Sequence, residues 1–308
     1  MDALKAFLTI SRANVQVVSF ASATLGVFLG AVTLEEVLSL DVLVFVILFF
    51  VLITFACNIN CVFDVPVDRL RKREIAAAVM YFGKRRLPNL LFLEALVALC
   101  LSVFLIFRGH WDVAFLALLG LYLGWAYSAP PLRVKGKGAI GPIPVILGVY
   151  VAPLIGGYLL VNKQLTLLFL GFVAGYAVMN LGINLVNTCE DFSEDRILGI
   201  RTIAHSLGLK RTLNRAFEST LIGGGTALLC LIGMGYPKLV QATDFACAAL
   251  LFFTLSIITI FSTSYEIMKV GAGRDLEAAA KINAKKMPKW FVITRYPMWL
   301  FALTLLFM

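Results

Sequence analysis

Charged residues are scarce in this 308-residue chain, at 15% of the total against about 25% in soluble domains. Apolar residues make up 60% and the mean hydropathy is +0.91. Such a composition excludes a water-soluble globule, and equally a disordered, collagen-like or disulfide-framework chain. Histidine occurs only as His110 and His205, and neither has the neighbours of a metal ligand. The six cysteines lie in or beside apolar runs. Cys57 and Cys61 are one helical turn apart, but no His or second Cys pair follows, so they read as small apolar side chains. No cleavable leader stands out, since the run 14–34 is long enough to remain as an anchor.

Long apolar runs are what the chain has in abundance. Nine can be read, near 14–34, 41–63, 88–107, 111–128, 139–161, 165–190, 216–236, 243–268 and 290–308. A span needs about 20 apolar residues, and lipid satisfies no backbone polar groups, so these runs are helices. They lack the alternation of a membrane barrel. With the N-terminus in the cytoplasm, 24 of the 27 Lys and Arg residues fall on that face, leaving Arg108, Lys163 and Lys238 opposite. The expected architecture is one all-α membrane domain over 1–308, with nine transmembrane helices and a cytoplasmic N-terminus. The net charge of +9 then reads as topology and attraction to anionic lipid, with no nucleic-acid partner.

Among the scarce acids two clusters stand out. Asn60, Asp64, Asp68 and Arg69 end the second run, and Asn187, Asp191, Asp195 and Arg196 end the sixth. Both read N-x-x-x-D-x-x-x-D-R. A spacing of four stacks side chains on one helical face. Stacked carboxylates repel unless a cation lies between them, and Mg²⁺ takes oxygen ligands and shares them with phosphates. One copy alone is most simply a solvated helix end; the second copy, on the same face, favours a shared cation site. The copies run parallel, unlike the inverted repeats of many transporters.

Basic residues beside the clusters suit a diphosphate: Arg69, Arg71 and Lys72 after the first, and Arg133 and Lys135 in the loop after the fourth run. That loop leaves Tyr127 near the membrane and is stiffened by Pro130 and Pro131, though an ordinary topology loop would look similar. Asn180, Asn184 and Thr188 form a polar stripe that either lines an interior or bonds neighbouring helices. Glu94 inside the third run stays without a role. Gly136, Gly138 and Gly141 fit G-x-G-x-x-G, but no strand precedes them and a membrane helix follows, so no dinucleotide fold is expected.

These residues resemble the UbiA superfamily of intramembrane prenyltransferases. The resemblance rests on Asn60, Asp64 and Asp68; on Asn187, Asp191, Asp195, Arg196, Gly199 and Thr202; and on the loop from Tyr127 to Lys135. It runs from Arg12-Ala-Asn14 to the last span, and nine helices is the family's number. It implies a bundle around a central cavity open sideways to lipid, with Mg²⁺ on the two Asp motifs and a prenyl diphosphate, such as geranyl or geranylgeranyl diphosphate, on the metal. In that frame Asp64, Asp68, Asp191 and Asp195, helped by Asn60 and Asn187, hold Mg²⁺. Arg12, Asn14, Arg69, Arg71, Lys72, Arg133, Lys135 and Arg196 bind substrate, and Tyr127 stabilises the allylic cation at the cytoplasmic face of the cell membrane. The acceptor is lipophilic, of the geranylgeranylglycerol phosphate type or an aromatic quinone precursor. Departures are Cys61 where relatives often have Asp, Ala13 in place of Pro, and the run from Arg71 to Val79 in place of an Arg-Pro-x-x-x-Gly stretch. The alternatives are a polytopic transporter using the same carboxylates and an inactive lipid-binding homologue.

Overall fold

The computed structural model describes residues 2–241 and 245–308. In chain order the helices are α1 (Ala3–Ile10), α2 (Ala13–Gly30), α3 (Leu34–Val37), α4 (Leu40–Arg71), α5 (Arg73–Phe107) and α6 (Trp111–Ser128). A short 3₁₀ turn and the strand β1 (Lys137–Gly138) follow. Next, α7 (Ile143–Val145), a π-helical stretch (Ile146–Val151) and α8 (Ala152–Val161) run as one span. The rest comprises α9 (Leu167–Glu190), α10 (Phe192–Ile197), β2 (Arg201–Thr202), α11 (Ile203–Leu207), α12 (Leu209–Gln241), α13 (Ala246–Gly271), α14 (Leu276–Ala284) and α15 (Met287–Leu305).

Seven of the described helices are long and apolar enough to cross a membrane, or eight if α1 and α2, bent by 55° at Arg12, count as one span. The ninth expected run is helical as α15, but its Lys289 and Arg295 leave it below that apolar standard. Arg295 is nevertheless only 1% exposed.

Two features of the sequence carry the packing. Small residues let backbones approach: a Cβ on Gly26 would meet the Leu154 carbonyl, and one on Gly175 would lie 2.5 Å from the Ala227 amide nitrogen. The pairs α2–α8 and α9–α12 therefore pack as membrane helices do, through small residues. Large apolar side chains fill the remaining core, among them Phe45, Phe49, Phe169, Phe172 and Phe301.

Helix lengths then place the acids. With 32 residues, α4 is about 48 Å long and overshoots a hydrocarbon core of about 30 Å. Asp64 and Asp68 lie in its last two turns. The basic segment 69–86, expected as a loop, is instead mostly helical. α5 starts at Arg73 and turns only at Gly83, whose φ of 67° suits glycine. Its charges had suggested a loop, but Ile75, Ala78, Val79 and Phe82 supply an apolar face that packs with Ala6, Ile10 and Cys61. Cys61 thus belongs to a small apolar cluster.

Candidate active site

The first motif occupies one unbroken face of α4. Asn60 Nδ2 donates to Asp64 Oδ2 at 2.9 Å and to Ser128 Oγ at 3.1 Å, while its oxygen accepts from the Arg12 guanidinium at 3.1 Å. Lys135 pairs directly with Asp64 Oδ1, and Arg133 approaches the same oxygen at 3.9 Å. Burial pulls the Lys135 ammonium down to about 8, against the opposing pull of Asp195 and Asp191. Asp68 is 4% exposed, and its Oδ2 is buried with no hydrogen-bond partner among the described residues. A carboxylate oxygen left this way is costly unless a cation or donor arrives. Arg12 (φ 49°) and Arg133 (φ 36°) are the non-glycine residues with positive φ among those described, a conformation costing about 1–2 kcal/mol. Both deliver their side chains to this motif.

The second motif is broken. α9 ends at Glu190, and Asp191 has φ −100° and ψ 22°, so Asp195 belongs to the separate helix α10. The spacing of four therefore does not stack Asn187, Asp191 and Asp195 on one continuous helix, as the sequence reading had them. The break is bridged by Asp195 N–H donating to the Asp191 carbonyl at 2.8 Å. Lys72, the residue between α4 and α5, reaches Asp191 Oδ2 at 3.3 Å. Burial, then the Asp191 charge, pushes the Asp195 carboxyl up to about 6. Two contacts brace α10 from outside: Ser193 Oγ donates to Glu277 of α14 at 2.7 Å, and Lys281 of α14 lies 3.2 Å from Glu194.

Two loops close over the motifs. β1 pairs in parallel with β2, Lys137 opposite Arg201 and Gly138 opposite Thr202. This ties the lysine loop after α6 to the chain that follows Asp195. A Cβ on Gly138 would come within 2.8 Å of Ser206 Oγ, and one on Gly141 within 3.0 Å of the Lys135 carbonyl. The G-x-G-x-x-G glycines thus serve close packing of the loop.

All four aspartates line one small cavity of about 120 Å³, together with Arg12, Asn60, Lys72, Tyr127, Lys135, Asn187 and Thr202. It adjoins a larger cavity of about 520 Å³ among Ile53, Ala56, Val145, Val149, Met287 and Phe291. Arg12, Asn60, Lys72, Tyr127, Asn184 and Asn187 line both. A polar, charged pocket therefore adjoins a larger, mostly apolar chamber, and Tyr127 lines both. Among the described residues no group of three His, Cys, Asp or Glu side chains forms a ready metal cluster. Lys135 on Asp64 and Lys72 on Asp191 meet part of the repulsion that the sequence reading assigned wholly to a metal. The all-oxygen donor set and the orphaned Asp68 oxygen nonetheless suit a hard divalent cation.

The profile of the UbiA prenyltransferase family matches residues 19–264. The chain belongs to that family. It is 30% identical over 158 residues to a digeranylgeranylglyceryl phosphate synthase of Korarchaeum cryptofilum, covering 50% of this chain and 52% of that protein. It is 32% identical over 98 residues to the chloroplast chlorophyll synthase of Avena sativa, covering 32% and 26%. The matched stretch thus spans about half, or less, of these curated relatives. A solved UbiA homologue from Archaeoglobus fulgidus, bound to GPP and Mg²⁺, superposes with a TM-score of 0.72 at 14% identity, covering 98% of this chain and all of that one. At that identity the likeness speaks for the fold.

Within this UbiA chain some expected site residues stand away from the pocket. Arg69 is exposed and its guanidinium lies 3.6 Å from Met80 Sδ, and Arg196 is exposed in the last turn of α10. The side chains of Asn14 and Arg71 lie outside the described residues. Glu94 accepts from Asn58 at 2.6 Å and lines neither cavity. The polar stripe divides: Asn180 bonds back to the Tyr176 carbonyl, Asn184 reaches Tyr150 OH at 3.0 Å, and Thr188 lines the acidic pocket. Sequence reasoning missed Ser128, the partner of Asn60, which sits beside the noted Tyr127. It also missed Tyr150, whose place in a π-helical stretch has no sequence signal.

Proposed function

We propose that this chain is a Mg²⁺-dependent intramembrane prenyltransferase that moves an isoprenyl group from an allylic prenyl diphosphate to a lipophilic acceptor. The observation that carries the reading is the convergence of Asp64, Asp68, Asp191 and Asp195 on one pocket that adjoins a larger, mostly apolar chamber. In this reading the protein has nine spans, N-terminus in the cytoplasm, with α15 crossing as the ninth and Arg295 shielded inside the bundle. The acidic pocket then lies at the cytoplasmic face of the cell membrane, where a diphosphate arrives from water.

Asp64, Asp68, Asp191 and Asp195 would hold Mg²⁺, with Asn60 and Asn187 as neutral oxygen donors. Bound there, Mg²⁺ supplies charge neutralisation for the diphosphate. Lys72, Lys135, Arg12 and Arg133 add positive charge around the same group, stabilising the electron pair it takes as the allylic C–O bond breaks. Tyr127, which lines both cavities, presents its ring to the allylic carbon and stabilises the developing cation. The apolar chamber keeps water from the cation and leaves the acceptor as nucleophile. The new bond forms between that nucleophile and the allylic carbon, and the acceptor loses its proton. Acceptors of the geranylgeranylglycerol phosphate or aromatic quinone-precursor type suit a chamber that is apolar with Arg12 and Lys72 at its rim.

Release of diphosphate from labelled geranylgeranyl diphosphate plus candidate acceptors, by detergent-solubilised protein, tests the reading. Acceptor-dependent release supports it. Transport of the intact substrate without release would favour a carrier.

A further inference from the structure

The acidic pocket contains a residue whose hydroxyl is committed in a way that the aspartate motifs do not reveal. Thr202 lines the pocket between the two strands' ends and lies opposite Gly138 in the β1–β2 pair. His205, three residues on, makes three polar contacts. Its Nε2 lies 2.9 Å from the Phe192 carbonyl, its Nδ1 is 3.3 Å from the Thr202 backbone N–H, and the same Nδ1 is 2.8 Å from Thr202 Oγ1. Its ring also stacks on Phe192 with centroids 4.3 Å apart.

These partners assign the hydrogens. A carbonyl only accepts, so Nε2 carries the ring hydrogen. A backbone N–H only donates, so Nδ1 is the bare acceptor of a neutral imidazole. The Thr202 hydroxyl, 2.8 Å from that lone pair, must therefore give its hydrogen to His205. One lone pair of the remaining oxygen faces the backbone N–H of His205 in the capping box that opens α11, which leaves one lone pair for a ligand. Thr202 can offer a ligand in the pocket an acceptor, and cannot offer a diphosphate a donor. Among four aspartates, an additional acceptor oxygen serves a cation, whereas it would only repel a phosphate oxygen.

We infer that the Thr202 hydroxyl oxygen is a further oxygen donor to the divalent cation of the acidic pocket, and that His205 is the positioning residue that holds it in that role. This rests on the metal-dependent reading above. His205 also joins the Phe192 carbonyl, beside Asp191, to the β2 strand, so one ring sets the spacing between the second motif and Thr202. Partners of this kind, one step removed from a metal, typically account for about 10–100-fold in metal affinity.

Mn²⁺ serves as a spectroscopically visible probe, titrated into the purified full-length chain in detergent with a thiolo analogue of geranyl diphosphate and read by electron paramagnetic resonance. Thr202→Val should weaken Mn²⁺ binding about 10-fold, and Thr202→Ser should restore it. His205→Phe, which keeps the stack on Phe192 and loses the polar contacts, should weaken binding to a similar degree. The double variant should be no worse than Thr202→Val alone. Wild-type affinity in Thr202→Val overturns the ligand assignment, and additive losses in the double variant overturn the role of His205. Thermal unfolding identifies any variant that fails to fold, and Thr202→Ala then replaces Thr202→Val. Wild-type protein and Asp191→Asn separate the two levels. If wild type binds Mn²⁺, Asp191→Asn does not, and Thr202→Val is unchanged, only this inference falls; no binding by wild type overturns the metal reading with it.

Discussion

Asn60, Asp64 and Asp68 climb one continuous face of α4, whereas Asn187, Asp191 and Asp195 are divided between α9 and α10 by the non-helical backbone at Asp191. The same residue pattern thus gives one stiff set of carboxylates and one jointed set. The stiff set is inherited from a 32-residue helix anchored in the bundle. The jointed set depends on braces outside the motif: α14 through Lys281 and Glu277, His205 through Phe192, and the β1–β2 pair. Neutralisation is crossed as well. Lys135, from the loop tied to the second half, meets Asp64; Lys72, from the end of the first motif's helix, meets Asp191. Crossed ion pairs thus join the two halves at the motifs.

The largest test removes one carboxylate from each set. Asp64→Ala and Asp191→Ala should each lower prenyl transfer by at least about 10²–10³-fold, in the range of losing a main electrostatic stabiliser. Near-equal losses with unchanged thermal unfolding would support two motifs serving one site. A full-activity variant at either position would break the equivalence.

The second test separates the two lysines. Lys135 is buried against Asp64 and Lys72 is about one-third exposed against Asp191, with side-chain exposures of 11% and 32%. Removing a partner from a buried pair costs far more than from an exposed one. Lys135→Met should lower kcat/KM by about 10²-fold, and Lys72→Met by about 10-fold or less. The reverse order in steady-state assays would mean that the jointed motif, rather than the stiff one, dominates diphosphate binding.

A third test loosens only the jointed set. Lys281→Met removes the contact of α14 with Glu194, and the expected loss is about 3–10-fold, the scale of one charge-assisted bond. It should appear as a raised KM for prenyl diphosphate, with Asp64-side contacts untouched. The smallest effect belongs to the trailing arginines. Arg69→Ala and Arg196→Ala should change turnover by less than about 2-fold, as surface charges do, because both side chains point away from the pocket.

The helices were legible because membrane spans announce themselves by length and hydropathy, and seven of the expected runs meet that standard as helices. The pairing of the motifs was legible because their residues repeat. The break at Asp191 was not, since a spacing of four says which residues would share a face and nothing about where the helix stops. The segment 69–86 was misread as a loop because its Lys and Arg residues obscured the apolar face of Ile75, Ala78, Val79 and Phe82. α15 was read as an ordinary span, although Arg295 makes it depend on burial inside the bundle, where its guanidinium meets Tyr176 OH at 2.9 Å. The β1–β2 pair and the meeting of Lys135 with Asp64 join residues 64 or more positions apart, and local patterning carries no trace of such contacts.

The convergence of the two motifs on one cation is tested most directly by anomalous diffraction from crystals soaked with Mn²⁺ and a thiolo analogue of geranyl diphosphate. Peaks between the carboxylates of Asp64 and Asp68 on one side and Asp191 and Asp195 on the other are expected, with the diphosphate among Arg12, Lys72 and Lys135. Mn²⁺ bound at one motif alone, or outside the pocket, would contradict a shared site.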